Sequence, residues 1–165
     1  MWIRAAALIF TFSTIGAAQA QDMSGCEKFK WSIARERAWF AASPKAVDAG
    51  AELPSIDQGY VVTLAAGDSP GFVLPPERAP KPGTFGGVVK FTLAKAGVYE
   101  VTLSGEAWAD VVQDGARLKS FDFSGQKACP GVRKSVKFHL AAGPAALQIS
   151  NSDATKITLA VAPAE

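Results

Sequence analysis

The sequence predicts an all-β fold: an antiparallel, jelly-roll-like β-sandwich of about eight strands with one short N-terminal helix. After Pro54, apolar residues recur at every second position, as in Val89-Lys-Phe-Thr-Leu93, which is typical of strands with one apolar and one polar face. Turn-forming pairs such as Asp114-Gly115 and Pro130-Gly131 separate these runs. Short alternating strands spaced by turns are typical of a sandwich.

The first twenty residues have the three-part layout of a secretory signal. Arg4 provides a positive charge, residues 5–15 form an apolar run, and Ala18-Gln19-Ala20 supplies small residues for cleavage. The apolar run is shorter than the ~20 residues that cross a bilayer. We therefore predict a signal peptide over residues 1–20, no transmembrane anchor, and a periplasmic or secreted mature chain.

The mature chain, residues 21–165, has the length of a single domain. A chain of ~150 residues buries about 68–70% of its unfolded surface, which is enough for a substantial core. The net charge is +2 for the full sequence, and loss of Arg4 lowers it to +1. Because a near-neutral surface has no field to attract polyanions, we expect no nucleic-acid partner.

The two cysteines, Cys26 and Cys129, predict one disulfide in an oxidising compartment. Such a bond closes a loop of roughly 100 residues, which is worth about 4–5 kcal/mol in the chain-entropy model. The alternative is a lipid anchor, since Met23-Ser24-Gly25-Cys26 resembles a bacterial lipoprotein box. Acylation of Cys26 would leave Cys129 unpaired.

Residues 24–43 are the one helical candidate. Ser24-Gly-Cys-Glu27 fits a capping box that would start a long helix. However, Phe29-Lys-Trp-Ser-Ile33 also alternates like a strand, and Ser32 could cap a shorter helix over Ile33–Ala41. We favour an extended start followed by the short helix, which ends before Ser43-Pro44.

The alternating pattern continues to the end of the chain. The runs predicted as strands are Tyr60–Leu64, Val89–Leu93, Tyr99–Leu103, Trp108–Val112, Arg117–Phe123, Val136–Leu140, Leu147–Ile149 and Ile157–Val161. Their apolar positions predict a core of Phe91, Tyr99, Val101, Leu103, Phe138, Leu140, Leu147, Ile149, Leu159 and Val161.

A proline-rich segment, Leu74 to Gly87, interrupts the strand pattern. Its four prolines and three glycines exclude a central strand. We expect a semi-rigid surface loop that displays Arg78, Lys81 and Phe85. Such a loop is either a stiffened connector or, because function often lies on loops held by a rigid scaffold, a ligand contact.

The sequence offers few groups for catalysis, and we assign no catalytic residue. His139 is the only histidine and lies at an outward position of a predicted strand, so a site with several histidines is excluded within one chain. Four acidic residues lie close in sequence but lack the spacing of a calcium loop: Glu106, Asp110, Asp114 and Asp122. A calcium site is not excluded, since oxygen ligands suffice for it, but no spacing supports one and we predict neither a metal site nor a cofactor.

Binding has more support. The sequence leaves open which of Trp31, Trp39, Phe85 and Trp108 reach solvent. Trp108 interrupts the polar stretch Glu106-Ala-Trp-Ala-Asp110 and is the preferred aromatic platform for a ligand. The predicted ligand-binding set is Arg78, Lys81, Phe85, Trp108 and Asp110.

From Val89 to Val161 the chain resembles prepeptidase C-terminal domains and related carbohydrate-binding sandwiches. The resemblance lies in Val89–Leu93, Gly97–Leu103, the Asp114-Gly115 turn, Phe138–Gly143 and Leu147–Ile149. It implies a non-catalytic β-sandwich of the kind appended to exported enzymes. Because no enzyme domain accompanies it here, this chain would be a free-standing version.

The whole chain also looks like a family of small exported bacterial proteins that are often labelled homogentisate 1,2-dioxygenase. The resemblance lies in Arg35–Phe40, Pro75–Gly87 and Cys129–Lys134. That dioxygenase holds its iron with two histidines and a glutamate. Since His139 is the only histidine here, no ligand set carries over.

These observations predict an exported, disulfide-stapled, non-catalytic binding or accessory domain. Its partner would be a glycan, an envelope component or a protein. One alternative is a metal-dependent enzyme, either a hydrolase or an oxygenase. Another is a structural subunit of a cell-envelope assembly.

Overall fold

A computed structural model describes residues 25–67 and 70–165 of the chain, so the predicted signal peptide lies outside the described residues. It contains a 3-10 helix, one α-helix and eleven strands in two sheets. The elements are the 3-10 helix Cys26–Lys28, α1 Ala34–Ala41, β1 Lys45–Asp48, β2 Gly59–Thr63, β3 Ala65–Ala66, β4 Phe85–Leu93, β5 Gly97–Leu103, β6 Trp108–Gln113, β7 Ala116–Leu118, β8 Asp122–Gly125, β9 Lys134–Leu140, β10 Gly143–Ser152 and β11 Lys156–Pro163.

The sheets confirm the predicted all-β sandwich. One sheet has the order β1-β2-β11-β5-β9-β8, and the other has the order β3-β4-β10-β6-β7. All pairings between these strands are antiparallel except that of β1 with β2. The count exceeds the predicted eight because β1 and β3, with four and two residues, were not predicted and because one predicted strand is divided into β7 and β8. Strands that short are hard to detect from an alternating pattern.

The predicted core lies between the sheets. All ten residues assigned to it are at most 5% exposed, and they belong to one apolar cluster. Tyr60 and Phe91 are among its largest members. The alternating apolar positions of the longer strands therefore mark the residues that face this core.

The prediction of one strand over Arg117–Phe123 was wrong. The chain leaves the five-stranded sheet after β7 and enters the six-stranded sheet at β8, so residues 119–121 cross from one layer to the other. Phe121 and Phe123 are 51% and 66% exposed on the edge side of the sandwich. The alternation misled because these phenylalanines do not enter the core.

The predicted loop boundary at Gly87 was also wrong. β4 begins at Phe85, so the strand includes Gly86 and Gly87. A Cβ on Gly86 would lie 2.7 Å from the Ile149 carbonyl oxygen, which explains why glycine suits this strand position. The loop before β4 runs beside β10, where the Gln148 side chain accepts hydrogen bonds from the backbone N–H groups of Val73 and Leu74.

The N-terminal segment has the predicted extended start and short helix. Helix α1 begins at Ala34, one residue later than predicted, and the Ser32 hydroxyl accepts a 3.3 Å hydrogen bond from the Ala34 N–H. The helix packs against β2 and β11 of the six-stranded sheet. Ser24, the first residue of the alternative capping box, lies outside the described residues.

The disulfide between Cys26 and Cys129 is confirmed, and both residues are buried. It joins positions 103 residues apart and fixes the N-terminal segment to the turn before β9. A thioether-linked lipid on Cys26 would need the same sulfur atom. The disulfide and a lipid on Cys26 are therefore mutually exclusive.

The disulfide holds the N-terminal segment over part of the polar face of the six-stranded sheet. Glu100 and Thr102 on that face are 2% and 0% exposed. Lys137 Nζ lies 3.2 Å from a Glu100 carboxylate oxygen, and Trp31 Nε1 donates a hydrogen bond to Ser135 Oγ. We call residues 25–41 the N-terminal cover.

Candidate functional site

A pocket of about 360 Å³ opens at the side of the sandwich, between β6 and β7 of one sheet and β8 and β9 of the other. β7 pairs only with Val111–Gln113, so the first half of β6 has no neighbour on that side. β8 is the edge strand of the opposite sheet. We call this opening the lateral pocket, lined by residues of β6–β9 together with Glu77, Arg78, Glu106, Ser120 and Arg133.

The inner wall of the lateral pocket is apolar. Val136 and Phe138 line it and belong to the main core cluster. Ala109 and Leu118 also line it and pack against the same cluster. The pocket therefore gives a ligand access to the apolar space between the sheets.

Trp108 forms the polar side of the pocket together with two cations. The Arg78 guanidinium carbon lies 3.8 Å from the centre of the Trp108 ring system, and Lys134 Nζ lies 5.4 Å from it. Both distances are within the range of cation–π attraction. Because Arg78 lies so close to the ring, Trp108 is not a bare stacking platform.

Asp110 holds this arrangement in place. Its carboxylate accepts 3.0 Å hydrogen bonds from Trp108 Nε1 and from the Glu77 backbone N–H. Arg117 Nε lies 3.9 Å from the same carboxylate. Asp110 is only 2% exposed, so it orients the tryptophan and the proline-rich loop.

Lys134 enters the pocket from the start of β9. It shares the inward face of that strand with Val136 and Phe138, two and four residues later. Its ammonium donates a hydrogen bond to the Ala107 carbonyl oxygen. Among residues 25–67 and 70–165, no carboxylate oxygen lies within 4 Å of Lys134 Nζ.

The surroundings of Lys134 disfavour its charged form. Burial lowers the pKa of the Lys134 amine below its ordinary value of 10.5. Of the neighbouring charges, Glu106 and Asp110 oppose this shift, whereas Arg133 and Arg78 add to it. An anion placed beside the amine would therefore stabilise its protonated form.

Arg133 and Glu106 form an ion pair at the pocket, with 2.6 Å between Nη2 and Oε2. Gly125 of β8 leaves room for Arg133, because a Cβ there would lie 3.1 Å from Arg133 Nη1. This pair supplies no uncompensated charge. The cations without a carboxylate partner at the pocket are, within the described part of the chain, Arg78 and Lys134.

Three of the five predicted ligand-binding residues meet at the pocket: Arg78, Trp108 and Asp110. The other two lie elsewhere. Lys81 is exposed, and its backbone N–H donates to the Asn151 side chain. Phe85 starts β4 and packs against the main core.

Sequence analysis missed Lys134, although its position could have been inferred. Extending the alternation of Val136, Phe138 and Leu140 back by one step places Lys134 on the core-facing side. A lysine at such a position indicates either a buried ion pair or a pocket. Phe123, which also lines the pocket, could not be assigned because the crossing between sheets was not predicted.

The four clustered acidic residues do not converge on a metal site. Asp122 pairs with Lys30 at 2.7 Å, Glu106 pairs with Arg133, and Asp110 is enclosed by its own partners. Across the described residues, no group of three or more histidine, cysteine, aspartate and glutamate side chains is placed to hold a metal ion. His139 is exposed and stacks on Phe121 at 4.3 Å.

Comparison with known proteins gives this chain no relative: no protein-family model, curated protein or solved structure matches it. No helix in the described part of the chain has the length and apolar character needed to span a membrane. The disulfide is compatible with an extracellular location.

Proposed function

We propose that this protein is an exported, non-catalytic binding domain that takes a small envelope-derived ligand into the lateral pocket. The observation that carries this proposal is the pocket itself, where the core between the sheets is open at one side and Trp108 is held beside it. Its volume is at the lower end of the about 300–1,000 Å³ that is typical of small-molecule sites. A small molecule therefore suits it better than a protein segment.

Export is the second part of the proposal. It rests on the signal-like residues 1–20 and on the disulfide, which persists in oxidising compartments. The N-terminal cover depends on this bond for its attachment to the turn at Cys129.

Among the partners considered from the sequence, the geometry favours an envelope component over a glycan. Sugar-binding sandwiches use an open aromatic face, but Arg78 occupies a position 3.8 Å from the Trp108 ring centre. The apolar wall of Val136 and Phe138 instead suits a ligand with a hydrocarbon part.

A neutral apolar dye tests this proposal. N-phenyl-1-naphthylamine should bind the oxidised mature protein with a rise in dye fluorescence. Two variants should lose most of this rise by filling the pocket: Ala109→Phe inside it and Ser120→Trp at its exposed rim. Ala142→Phe, at an exposed position outside the pocket lining, is the matched control and should bind like the wild type.

Folding of each variant is checked by circular dichroism and thermal unfolding before the titration. If Ala109→Phe does not fold, the rim variant Ser120→Trp carries the test. Absence of dye binding by the wild type, or equal binding by the filled and control variants, would overturn the proposed function.

A further inference from the structure

We infer that the ligand of the lateral pocket is an amphiphile with an anionic head. Arg78 and Lys134 would hold the head beside Trp108, and the apolar part would lie against Val136 and Phe138. This inference rests on the proposed function and adds the chemical class of the ligand to it. A carboxylate and a phosphate monoester share the required chemistry.

The acids that line the pocket are engaged by other groups or exposed to solvent. The pocket is lined by the cations Arg78, Arg133 and Lys134 and by the acids Glu77, Glu106 and Asp110. The Glu106 carboxylate forms an ion pair with Arg133 at 2.6 Å. The Asp110 carboxylate accepts hydrogen bonds from Trp108 Nε1 and from the Glu77 N–H, and it forms an ion pair with Arg117. Glu77 and Arg78 are both exposed at the rim, so solvent screens both charges, and Lys134 is the less exposed cation that has no acidic partner among the described residues.

Arg78 and Lys134 have hydrogen-bond donors available for an anion. A lysine ammonium has three N–H donors, and Lys134 uses one of them on the Ala107 carbonyl oxygen. The Arg78 guanidinium has five donors in a planar fork, which matches the oxygens of a carboxylate or a phosphate. Both cations line the same pocket within 5.4 Å of the Trp108 ring centre, and Arg78 is close enough to act on the Lys134 charge, so we infer that one anion beside Trp108 accepts from both.

Partial burial of the Lys134 ammonium also favours an anionic ligand. Lys134 carries its ammonium into a partly desolvated place without a carboxylate partner, which is unfavourable for the unliganded protein. An anion brought by the ligand would offset that cost. The same desolvation strengthens the attraction relative to a pair in water.

The cationic part and the apolar part of the pocket are adjacent on β9. Lys134, Val136 and Phe138 alternate along one face of β9, so the ammonium and the apolar wall belong to one continuous surface. A ligand that satisfies both has a charged end and an apolar body. Neutral sugars lack the charged end, and cationic amphiphiles would meet Arg78 and Lys134 with like charge.

Four compounds with matched C8 hydrocarbon parts test the inference: octanoate, octyl phosphate, octanol and octyltrimethylammonium. Binding is followed through the Trp108 indole N–H resonance, which is assigned by comparison with Trp108→Phe. We expect the tighter anion to bind at least about tenfold more strongly than octanol, a difference typical of one charge-assisted contact. The quaternary ammonium should bind most weakly. The anion that binds more tightly identifies the head group.

Variants then localise the head group. Lys134→Met and Arg78→Gln should each lower anion affinity about tenfold while octanol affinity stays within about twofold. Lys119→Met removes a lysine that is exposed and outside the pocket lining, and it should leave anion affinity within about twofold of wild type. Glu77→Gln should raise anion affinity modestly.

The outcomes separate this inference from the proposed function. If octanol binds as tightly as the anions and neither Lys134→Met nor Arg78→Gln changes the anion affinity, the inference is overturned while the pocket remains a binding site. If none of the four compounds binds and the neutral dye also fails, both are overturned.

Discussion

Two lysines of strand β9, Lys134 and Lys137, lie three residues apart on opposite faces of the strand, and each has a tryptophan beside it. Lys137 lies 4.2 Å from the Trp31 ring centre and 3.2 Å from the Glu100 carboxylate, beneath the N-terminal cover. Lys134 lies 5.4 Å from the Trp108 ring centre and has a backbone carbonyl in place of a carboxylate. The first lysine is satisfied within the protein, whereas the second keeps capacity for an anion.

The difference between the two sites comes from what lies opposite each lysine. β5 pairs Glu100 directly with Lys137 in the sheet. Lys134 pairs with Leu103 of β5 and with Gly125 of β8, neither of which has a charge. Lys137 beside Trp31 is therefore structural, because Glu100 neutralises its charge. Lys134 beside Trp108 has no such acid in the described part of the chain, so its charge remains available to a ligand.

The largest expected effect concerns the attachment of the N-terminal cover over Lys137. Replacing both cysteines by alanine (C26A/C129A) should lower the free energy of unfolding by about 4 kcal/mol, because a cross-link spanning a separation of 103 residues restricts the unfolded chain strongly. Denaturant unfolding of the variant and of the oxidised wild type measures this difference.

The C26A/C129A variant also tests whether the lateral pocket beside Lys134 binds a ligand independently of the N-terminal cover over Lys137. Binding of N-phenyl-1-naphthylamine, measured below the unfolding transition, should stay close to wild type because Arg78, Trp108 and Lys134 lie outside the N-terminal cover, whose Lys30 approaches the pocket lining at Phe123, 5.7 Å from the ring centre. A loss of stability below about 1 kcal/mol would show that the cover is held mainly by its other contacts.

An intermediate effect is expected for Lys137→Met. It leaves Glu100 buried without its cation, which should lower the free energy of unfolding by about 2–3 kcal/mol at pH 7. This is less than for a fully enclosed pair because the Lys137 side chain keeps 15% exposure. The double variant K137M/E100Q is the control and should recover most of the loss.

The pH dependence of Lys137→Met has a definite sign. Burial raises the pKa of Glu100 above its ordinary 4.5, an effect opposed by Lys137 and reinforced by Glu36. Folded Glu100 therefore takes up its proton at a higher pH than unfolded Glu100, and stability rises as the pH falls through the raised pKa. The deficit of Lys137→Met should shrink in that range, and a deficit that grew there would contradict this account.

The smallest change in the free energy of unfolding is expected for Lys134→Met. Unlike Lys137→Met, this substitution should stabilise the protein. Burial lowers the pKa of Lys134, so the charged amine disfavours the folded state and wild-type stability rises as the pH rises through the lowered pKa. The methionine variant should be more stable by about 0.5–1 kcal/mol at pH 7 and should lack this pH dependence, as when a functional residue is replaced at a site it destabilises.

Thermal unfolding of Lys134→Met and Lys137→Met side by side is the direct test of the comparison. If both substitutions destabilise the protein equally, Lys134 is as structural as Lys137 and the distinction between them fails.

The sequence predicted the layers of the fold well, and three of the five residues it suggested for ligand binding lie together in the structure. Residues such as Val101 and Phe138 alternate in step with the pleat, so their burial follows from local geometry. Arg78, Trp108 and Asp110 were chosen from composition and loop context, and they meet at the pocket. Phe85 was assigned to the same surface but packs against the core, because the proline-rich segment ends before it.

The alternation of apolar residues and the two cysteines were enough, by themselves, to predict a disulfide-linked all-β sandwich with its core, since both depend on short-range pattern or on simple pairing. The tertiary structure decided where the chain crosses between sheets, which polar face is covered, and that Arg78 and Lys134 share one tryptophan. These features bring together residues far apart in the chain, and a local pattern carries no information about such distances.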